Sequence, residues 1–328
     1  MLRFIGKRIL ILIPLLLVLS IVSFVIIQLP PGDFLTTYIA RLRSTGIIVD
    51  EEIIRSLEMR FGLNDSMPVQ YLKWMARILQ GDLGYSFQWS RSVNTLIGER
   101  LGYTIALSLS SILLIWLLAF PLGFYSATHQ YSIADYATTS LSFLGMSVPE
   151  FMLALVMMWL YFQATGSYAG GMYSDEFVQQ PMSWAKFMDL LKHMWMPYLI
   201  IAITGTAGLF KTFRANLLDE IRKPYVKTAR AKGLSNMRLL IKYPVRIALI
   251  PFISTVGWML PGLVSGQTIL AIVMNLPTVA PLLNSALRNQ DMYLAGSIIL
   301  ILGTLTVIGT VISDILLAVV DPRVRSLL

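Results

Sequence analysis

Long stretches of the chain carry no Asp, Glu, Lys or Arg, and these stretches determine the predicted architecture. A helix that crosses a bilayer needs about 20 consecutive, mostly apolar residues. We predict one spanning helix in each stretch, which makes the chain an all-α membrane protein with about six transmembrane helices. The stretches are residues 9–32, 101–134, 151–174, 193–210, 247–287 and 292–313.

Two of these stretches contain helix-breaking residues. We expect the third helix to begin near Tyr136 and to pass Pro149 and Glu150. The stretch 247–287 is long enough for two spans, but prolines and glycines interrupt it. We predict one span over residues 247–274, followed by a non-spanning segment, because a second span would place the basic C-terminal tail outside and contradict the positive-inside rule.

The first stretch follows three basic residues and so resembles a signal peptide. Its apolar run is about 20 residues long and no small-residue cleavage site follows it, whereas a signal peptide has a shorter apolar region. We therefore expect residues 1–29 to be an uncleaved anchor helix with the N-terminus in the cytoplasm.

The distribution of charge indicates how the chain is oriented. Only 13% of the residues are charged, about half the usual fraction of a soluble domain, and the net charge is +8. Residues 213–246 contain nine Lys and Arg side chains against Asp219 and Glu220. Because cytoplasmic loops are enriched in Lys and Arg, we predict that 213–246 is a cytoplasmic loop and that both termini are cytoplasmic. The positive charge then reflects topology in a lipid bilayer, and no nucleic-acid partner is expected.

Little in the sequence points to catalysis or to a metal. There is no Cys and there are two His residues, so neither a disulfide nor a Cys- or His-built metal site is expected. The chain also lacks the phosphate loop G-x-x-x-x-G-K-S/T, so we do not expect it to hold a nucleotide itself. Glu150 follows Pro149 inside the third predicted span, where an acid is a candidate pathway residue; the alternative is that it lies at the membrane interface.

Residues 30–98 form a predicted external segment with two short helices. The first is expected over residues 51–61, where acidic residues occupy the first turn. The second begins near Ser66, with Pro68 in its first turn, and ends at Gly81. Their role stays open: they either cover the mouth of the membrane domain or form a docking surface for an external partner.

The predicted cytoplasmic loop carries the sharpest local pattern. Pro224 suits the first position of a helix, and Gly233 suits the residue just past a helix end, where φ is positive. These two residues predict one short helix over residues 224–232. Ser235 can then cap a second helix that runs toward Pro244.

A helix this short is only marginally stable alone, so it needs a surface to pack against. Its small, aromatic and basic side chains would suit a soluble protein that approaches closely, and we hypothesise that it is a handle for such a partner. The alternative is a solvated basic loop that only enforces topology, and the pattern alone does not separate the two. The candidate contact residues are Tyr225, Val226, Lys227, Thr228, Ala229, Arg230, Ala231, Lys232 and Gly233.

Several strings along the chain also point to one family. They are MLRFIGKRILILIPLLLVLSIVSFVIIQLPPGD at the start, QGDLGYSF (80–87), FPLGFYSA (120–127), YVKTARAKGL (225–234) and DPRVR (321–325). Together they resemble, nearly end to end, the permease subunits of dipeptide/oligopeptide/nickel-type ABC importers. YVKTARAKGL is similar to the coupling loop of that family, in which Ala229 and Gly233 match the general motif. Lys227 and Thr228 stand in place of Glu and Ala, as in the peptide-type branch.

One segment departs from the family pattern. Where the family has an aromatic-Pro-Gly-Leu-Gly sequence, this chain has NLPTVAPLL (275–283), which keeps Pro277 and lacks both glycines. Short oligopeptides are the expected cargo, oligosaccharides are the second choice and nickel is the third.

The resemblance implies a type I ABC importer permease fold in a bacterial inner membrane. It implies a second permease subunit, with a heterodimer expected, two ATPase subunits that bind ATP and Mg²⁺, and an external solute-binding protein. In this arrangement residues 99–320 are the transmembrane core, the helix 224–232 couples to an ATPase, and 321–328 are a cytoplasmic tail. Transport then follows alternating access driven by the partner ATPases.

Two other classes remain open. A secondary, ion-coupled transporter is expected to show matched halves with broken helices or coupling acids, and the sequence shows no clear internal repeat. A purely structural membrane scaffold is the third class. Association with a soluble ATPase would separate the importer from both.

Overall fold

The computed structural model describes residues 2–28, 65–86, 88–254 and 267–320, and most of them are helical. A two-residue antiparallel hairpin, β1 (Tyr85–Ser86) with β2 (Arg91–Ser92), precedes the third helix. The helix predicted over 51–61 and the tail 321–328 lie outside the described residues. The described helices are α1 (Leu2–Gln28), α2 (Met67–Leu79), α3 (Val93–Thr128), α4 (Ile133–Ser147), α5 (Glu150–Thr165), α6 (Trp184–Ile221), α7 (Pro224–Ala231), α8 (Asn236–Lys242), α9 (Pro244–Ser254), α10 (Thr268–Val273), α11 (Val279–Arg288) and α12 (Met292–Val320).

Three of these helices, α3, α6 and α12, are long and apolar enough to cross a membrane. α4 and α5 pass the same test only as a pair, and they are bent by 100° at the break between them. The apolar run of α1, Leu10–Val25, is shorter. The described residues therefore hold three candidate spans, or four with the bent pair. They confirm an all-α membrane fold and match the prediction of about six spans only roughly, since residues 255–266 of the predicted fifth span are not described.

The third predicted span is not a continuous helix. α4 ends at Ser147, Val148 has an extended backbone, and α5 begins at Glu150 with Pro149 as its cap. A proline ring disfavours helical backbone angles at the residue before it, and that residue is Val148. The expectation that one helix passes Pro149 is therefore wrong.

The helix α6 is longer than predicted. The absence of charge predicted a span over residues 193–210, whereas the helix runs from Trp184 to Ile221. Backbone hydrogen bonds hold a helix together whatever its side chains, so α6 continues past the charged residues that bound its apolar part. The first residues of the predicted loop 213–246 are consequently the last turns of α6.

The chain divides into two compact units. In the unit that contains α6, the helices α4, α5 and α9 pack on it. The approach of α4 is close, because a Cβ atom on Gly145 would lie 2.8 Å from the carbonyl oxygen of Ile203. One unit comprises residues 1–7, 105–277 and 308–328, and the other comprises residues 8–104 and 278–307.

The unit of residues 8–104 and 278–307 has its own core, where the start of α3 meets α11 and α12. Asp291, buried just before α12, accepts a hydrogen bond from Oγ of Ser86 at 2.5 Å and so fixes the hairpin. The helix predicted from Ser66 to Gly81 is confirmed, since α2 runs over Met67–Leu79 and Gly81 follows with a φ of +82°. The buried core residues are Val93, Leu96, Ile97, Val279, Leu282, Ala286, Leu294, Ala295 and Ile298.

Candidate coupling helix and its surroundings

The helix α7 forms where the sequence predicted a short helix. Pro224 occupies its first turn, and the helix ends before Gly233, which has a φ of +78°. The Gly233 amide donates to the carbonyl of Arg230 at 3.0 Å, which closes the end of the helix. A second helix, α8, follows with Ser235 as its cap residue. The two local signals, a proline at the start and a glycine past the end, therefore fixed both boundaries.

One side of α7 packs against the chain itself. Val226 is 1% exposed and Ala229 is 7% exposed, and they lie three residues apart, on the same face of the helix. They form a small core with Leu239 and Leu240 of α8, and Phe124 of α3 packs against it. Val226 and Ala229 were expected to contact a partner protein; the structure instead turns them toward α8.

The other side of α7 is open and basic. Lys227, Arg230 and Lys232 supply three positive charges, and within the described ranges no carboxylate forms a salt bridge with any of them. The small residue Ala231 lies among these long side chains. The remaining expected contact residues on this side are Lys227, Thr228, Arg230, Ala231, Lys232 and Gly233, all of which are exposed.

A carboxylate anchors the start of α7 to the end of α6. The hydroxyl of Tyr225 donates to Oε2 of Glu220, and the Lys223 ammonium pairs with Oε1 of the same residue. Glu220 is buried. Burial, together with the neighbouring carboxylate, raises the pKa of the Tyr225 phenol well above its usual range, because both disfavour a phenolate at this position. The phenol therefore stays a donor.

A second charged cluster lies further along α6, and sequence reasoning missed it. Asp135, in the first turn of α4, is 2% exposed. Arg214 of α6 approaches it with Nε at 2.7 Å from Oδ1 and with a terminal nitrogen at 2.8 Å from Oδ2. Ser126 of α3 donates to the same carboxylate. The only sequence signal was the local cap, in which the Asp135 amide donates to Oγ of Ser132 at 3.2 Å; nothing in the sequence pairs Asp135 with Arg214.

Glu150, the candidate pathway residue, opens α5 directly after the break. Its Oε1 accepts a hydrogen bond from Thr204 of α6 at 2.9 Å. Its Oε2 is buried and has no hydrogen-bond partner among the described residues. An acid in the first turn of a helix is favourable by itself, so the position has a structural reason, but the second oxygen is left free to accept a ligand or a proton. The break lies at the opposite end of α4 from Asp135.

Two family models together match almost the whole chain. Residues 119–326 match the model described as binding-protein-dependent transport system inner membrane component. Residues 1–108 match the model of the N-terminal part of such membrane components. The first match includes α4 to α9 and therefore both charged clusters.

The chain is also similar to curated proteins along its full length. It is 33% identical to the oligopeptide transport system permease protein AppB of Bacillus subtilis over 99% of this chain and 100% of that protein. It is 29% identical to the oligopeptide transport system permease protein OppB of Haemophilus influenzae over 99% of this chain and 100% of that protein. The similarity thus spans every described helix.

Proposed function

Because the chain belongs to the family of binding-protein-dependent transport system inner membrane components, the permease subunits of ABC importers, we propose that it carries short oligopeptides across a bacterial inner membrane. The full-length similarity to two oligopeptide permeases supports this cargo. Lys227 and Thr228, which the resemblance to the peptide-type branch implies for its coupling loop, are consistent with the same cargo. Oligosaccharides are the second candidate cargo.

Membership of this family implies ATPase subunits and a solute-binding protein as partners. We propose in addition that two ATPase subunits hold the ATP and Mg²⁺, that a second, different permease completes the membrane domain, and that both termini of this chain face the cytoplasm. With that orientation, the end of α6 and the helices α7 and α8 lie on the side where the ATPases bind.

The observation that carries the proposal is the construction of α7. The helix is too short to be stable alone, and it is held by packing at Val226 and Ala229 and by the bond from Tyr225 to Glu220. A helix fixed in this way moves together with α6 as one body. Its open basic side is then the contact surface for a cleft on the ATPase.

A contact transmits work only if it differs between two states. We propose that the ATPases hold α7 in different positions when they are closed on ATP and when they are apart, and that the spans open outward and inward in response. Glu150 at the break between α4 and α5 would then line the pathway, where its free carboxylate oxygen can meet the cargo.

The test is a reconstitution of the complete transporter in proteoliposomes. The chain is co-purified with a second permease and ATPases of the same family from the same organism, and uptake of radiolabelled short peptides is measured with the matching solute-binding protein. We expect uptake to require ATP on the ATPase side and to be insensitive to a protonophore. Uptake driven by a proton gradient without ATP would overturn the proposal in favour of an ion-coupled transporter, and transport of labelled oligosaccharides but not peptides would overturn the cargo.

A further inference from the structure

Three helices meet at the buried carboxylate of Asp135. Ser126 lies near the end of α3, Asp135 lies in the first turn of α4, and Arg214 lies on α6. Arg214 also donates from Nε to Oγ of Ser126 at 2.9 Å, and the backbone amide of Tyr131 donates to Oδ2 of Asp135 at 2.9 Å. The carboxylate therefore accepts hydrogen bonds from α3, from the α3–α4 turn and from α6.

Stability alone does not account for such a cluster. Removing two opposite charges from water costs free energy that their attraction offsets only when the geometry is good, and apolar packing is often as stable. A bidentate Arg–carboxylate pair differs from apolar packing in fixing direction, because two parallel hydrogen bonds allow one relative orientation of the two side chains. The cluster therefore fixes how α4 is oriented on α6.

The same helices that form this cluster also hold α7. Phe124 of α3, two residues before Ser126, packs against the core of α7 and α8. Glu220 of α6, six residues after Arg214, accepts the bond from Tyr225 of α7. The ends of α3 and α6 are thus joined both to α7 and to the first turn of α4.

The far end of α4 leads directly to the break. The pairs Asp135–Arg214 and Gly145–Ile203 show that α4 runs antiparallel to α6 along its length. Beyond Gly145 the chain leaves the helix at Val148 and turns by 100° into α5. A displacement applied at Asp135 is consequently carried along a rigid helix to the point where the chain changes direction.

We propose that Asp135 and Arg214 are positioning residues that pass a displacement of α7 to α4, and through α4 to the break that precedes Glu150. The inference rests on the proposed function, since it assumes that an ATPase moves α7. The ion pair is the specific connection between α6 and α4. Without it, α6 and α7 would still move with the ATPase, but α4 would follow their movement less closely.

The experiment measures coupling in the reconstituted transporter, as the number of peptide molecules taken up per ATP hydrolysed. The variants are Asp135→Asn, Arg214→Gln and the double variant, with Arg214→Lys as the conservative change. The matched control is Arg222→Gln, an exposed arginine just after α6 whose hydrogen bond goes to Gln130 at 3.2 Å. Assembly and the thermal midpoint of each complex are recorded alongside.

We expect each single variant to lower the coupling ratio by a factor on the order of 10 in assembled complexes. Arg214→Lys should give an intermediate ratio, and Arg222→Gln should leave it unchanged. The double variant should be no worse than either single variant, because the two residues act through one contact.

A wild-type ratio in assembled Asp135→Asn and Arg214→Gln complexes would overturn the inference, even if the thermal midpoint fell, because the pair would then be structural only. If these variants do not assemble, Ser126→Ala and Arg214→Lys replace them, since both keep the opposite charges. A wild-type coupling ratio in these two variants would then overturn the inference. In either case ATP-driven uptake by the wild-type complex tests the proposed function separately. If the wild-type complex shows no ATP-driven uptake, the proposed function is wrong. If it shows uptake and the variants keep the wild-type coupling ratio, only the inference is wrong.

Discussion

The hydroxyl of Tyr225 lies 2.5 Å from Oε2 of Glu220 and donates a hydrogen bond to it. Tyr225 opens α7 and Glu220 lies in the last turn of α6, so the bond spans the bend between the two helices. Glu220 is buried and its other oxygen pairs with Lys223. The attachment of the short helix to the long one therefore depends on a few identifiable atoms.

The variant Tyr225→Phe removes this bond and keeps the ring. We expect the free energy of unfolding to fall by about 1.5–3 kcal/mol, because a hydrogen bond to a charged group contributes about that much. The raised pKa of Tyr225 means that the contribution is fully present below pH 10.0, the usual value for the phenol, and is lost as the pH rises through the raised value. Denaturant unfolding in detergent measures the change. Tyr136→Phe, at a residue that is 61% exposed, is the control, and an equal effect of both variants would contradict the prediction.

The two sides of α7 predict different contacts with the ATPase. The chain contains no Cys, so single-Cys variants give unambiguous cross-links. Ala231→Cys, on the open side, should cross-link to a cysteine placed in the cleft of the ATPase. Ala229→Cys makes the same chemical change on the buried side and should not react. Cross-links of equal yield at both positions, or at Ala229 alone, would show that α7 docks in another orientation.

Substitutions at Gly233 can distinguish backbone strain from steric clash with neighbouring atoms. Its φ is +78°, and a Cβ atom added there would have no heavy atom within 4 Å. A substitution is therefore strained only through the backbone, and a β-branched residue suffers most. We expect Gly233→Val to abolish ATP-driven uptake and Gly233→Asn to retain more of it, because Asn tolerates positive φ. Equal loss in both variants would mean that the side chain itself, rather than the turn, disturbs the ATPase contact.

The proposed position of Glu150 in the pathway can be tested through its accessibility to water. Glu150→Cys should react with a membrane-impermeant, cationic thiol reagent in at least one nucleotide state of the complete transporter, because residues that line a pathway become solvated there. The control is Ala154→Cys, one turn further along α5, where the native side chain is 0% exposed. If position 150 reacts no faster than position 154 with or without ATP, Glu150 has only its structural role at the start of α5.

Sequence patterns predicted the elements whose signals are local. Pro224 and Gly233 predicted α7, and Ser66 and Gly81 predicted α2, because capping depends on the few residues at each end of a helix. The face that α7 turns toward its own chain could not be predicted, since eight residues define an apolar side without showing what covers it. The break before Pro149 carried a usable signal, the restriction that a proline places on the preceding residue, but the apolar character of the stretch outweighed it.

The Asp135–Arg214 cluster could not be predicted from sequence patterns. Asp135 and Arg214 are separated by 79 residues, and their pairing is a consequence of how α4 packs on α6. The end of α6 was missed for a related reason. A stretch of uncharged residues marks the part of a helix that can lie in lipid, but it does not mark where the helix ends. Pairings between distant residues depend on tertiary packing, which a single sequence does not display.

The helix α6 is longer than a crossing of the bilayer requires. Its 38 residues span about 57 Å at the usual helical rise, nearly twice the roughly 30 Å of hydrocarbon in a bilayer. The uncharged residues 193–210 lie in the middle of α6, so the helix continues beyond them at both ends, over residues 184–192 and 211–221. If an ATPase holds α7 as proposed, a small tilt of the uncharged part moves the Ile221 end of α6 through a larger displacement.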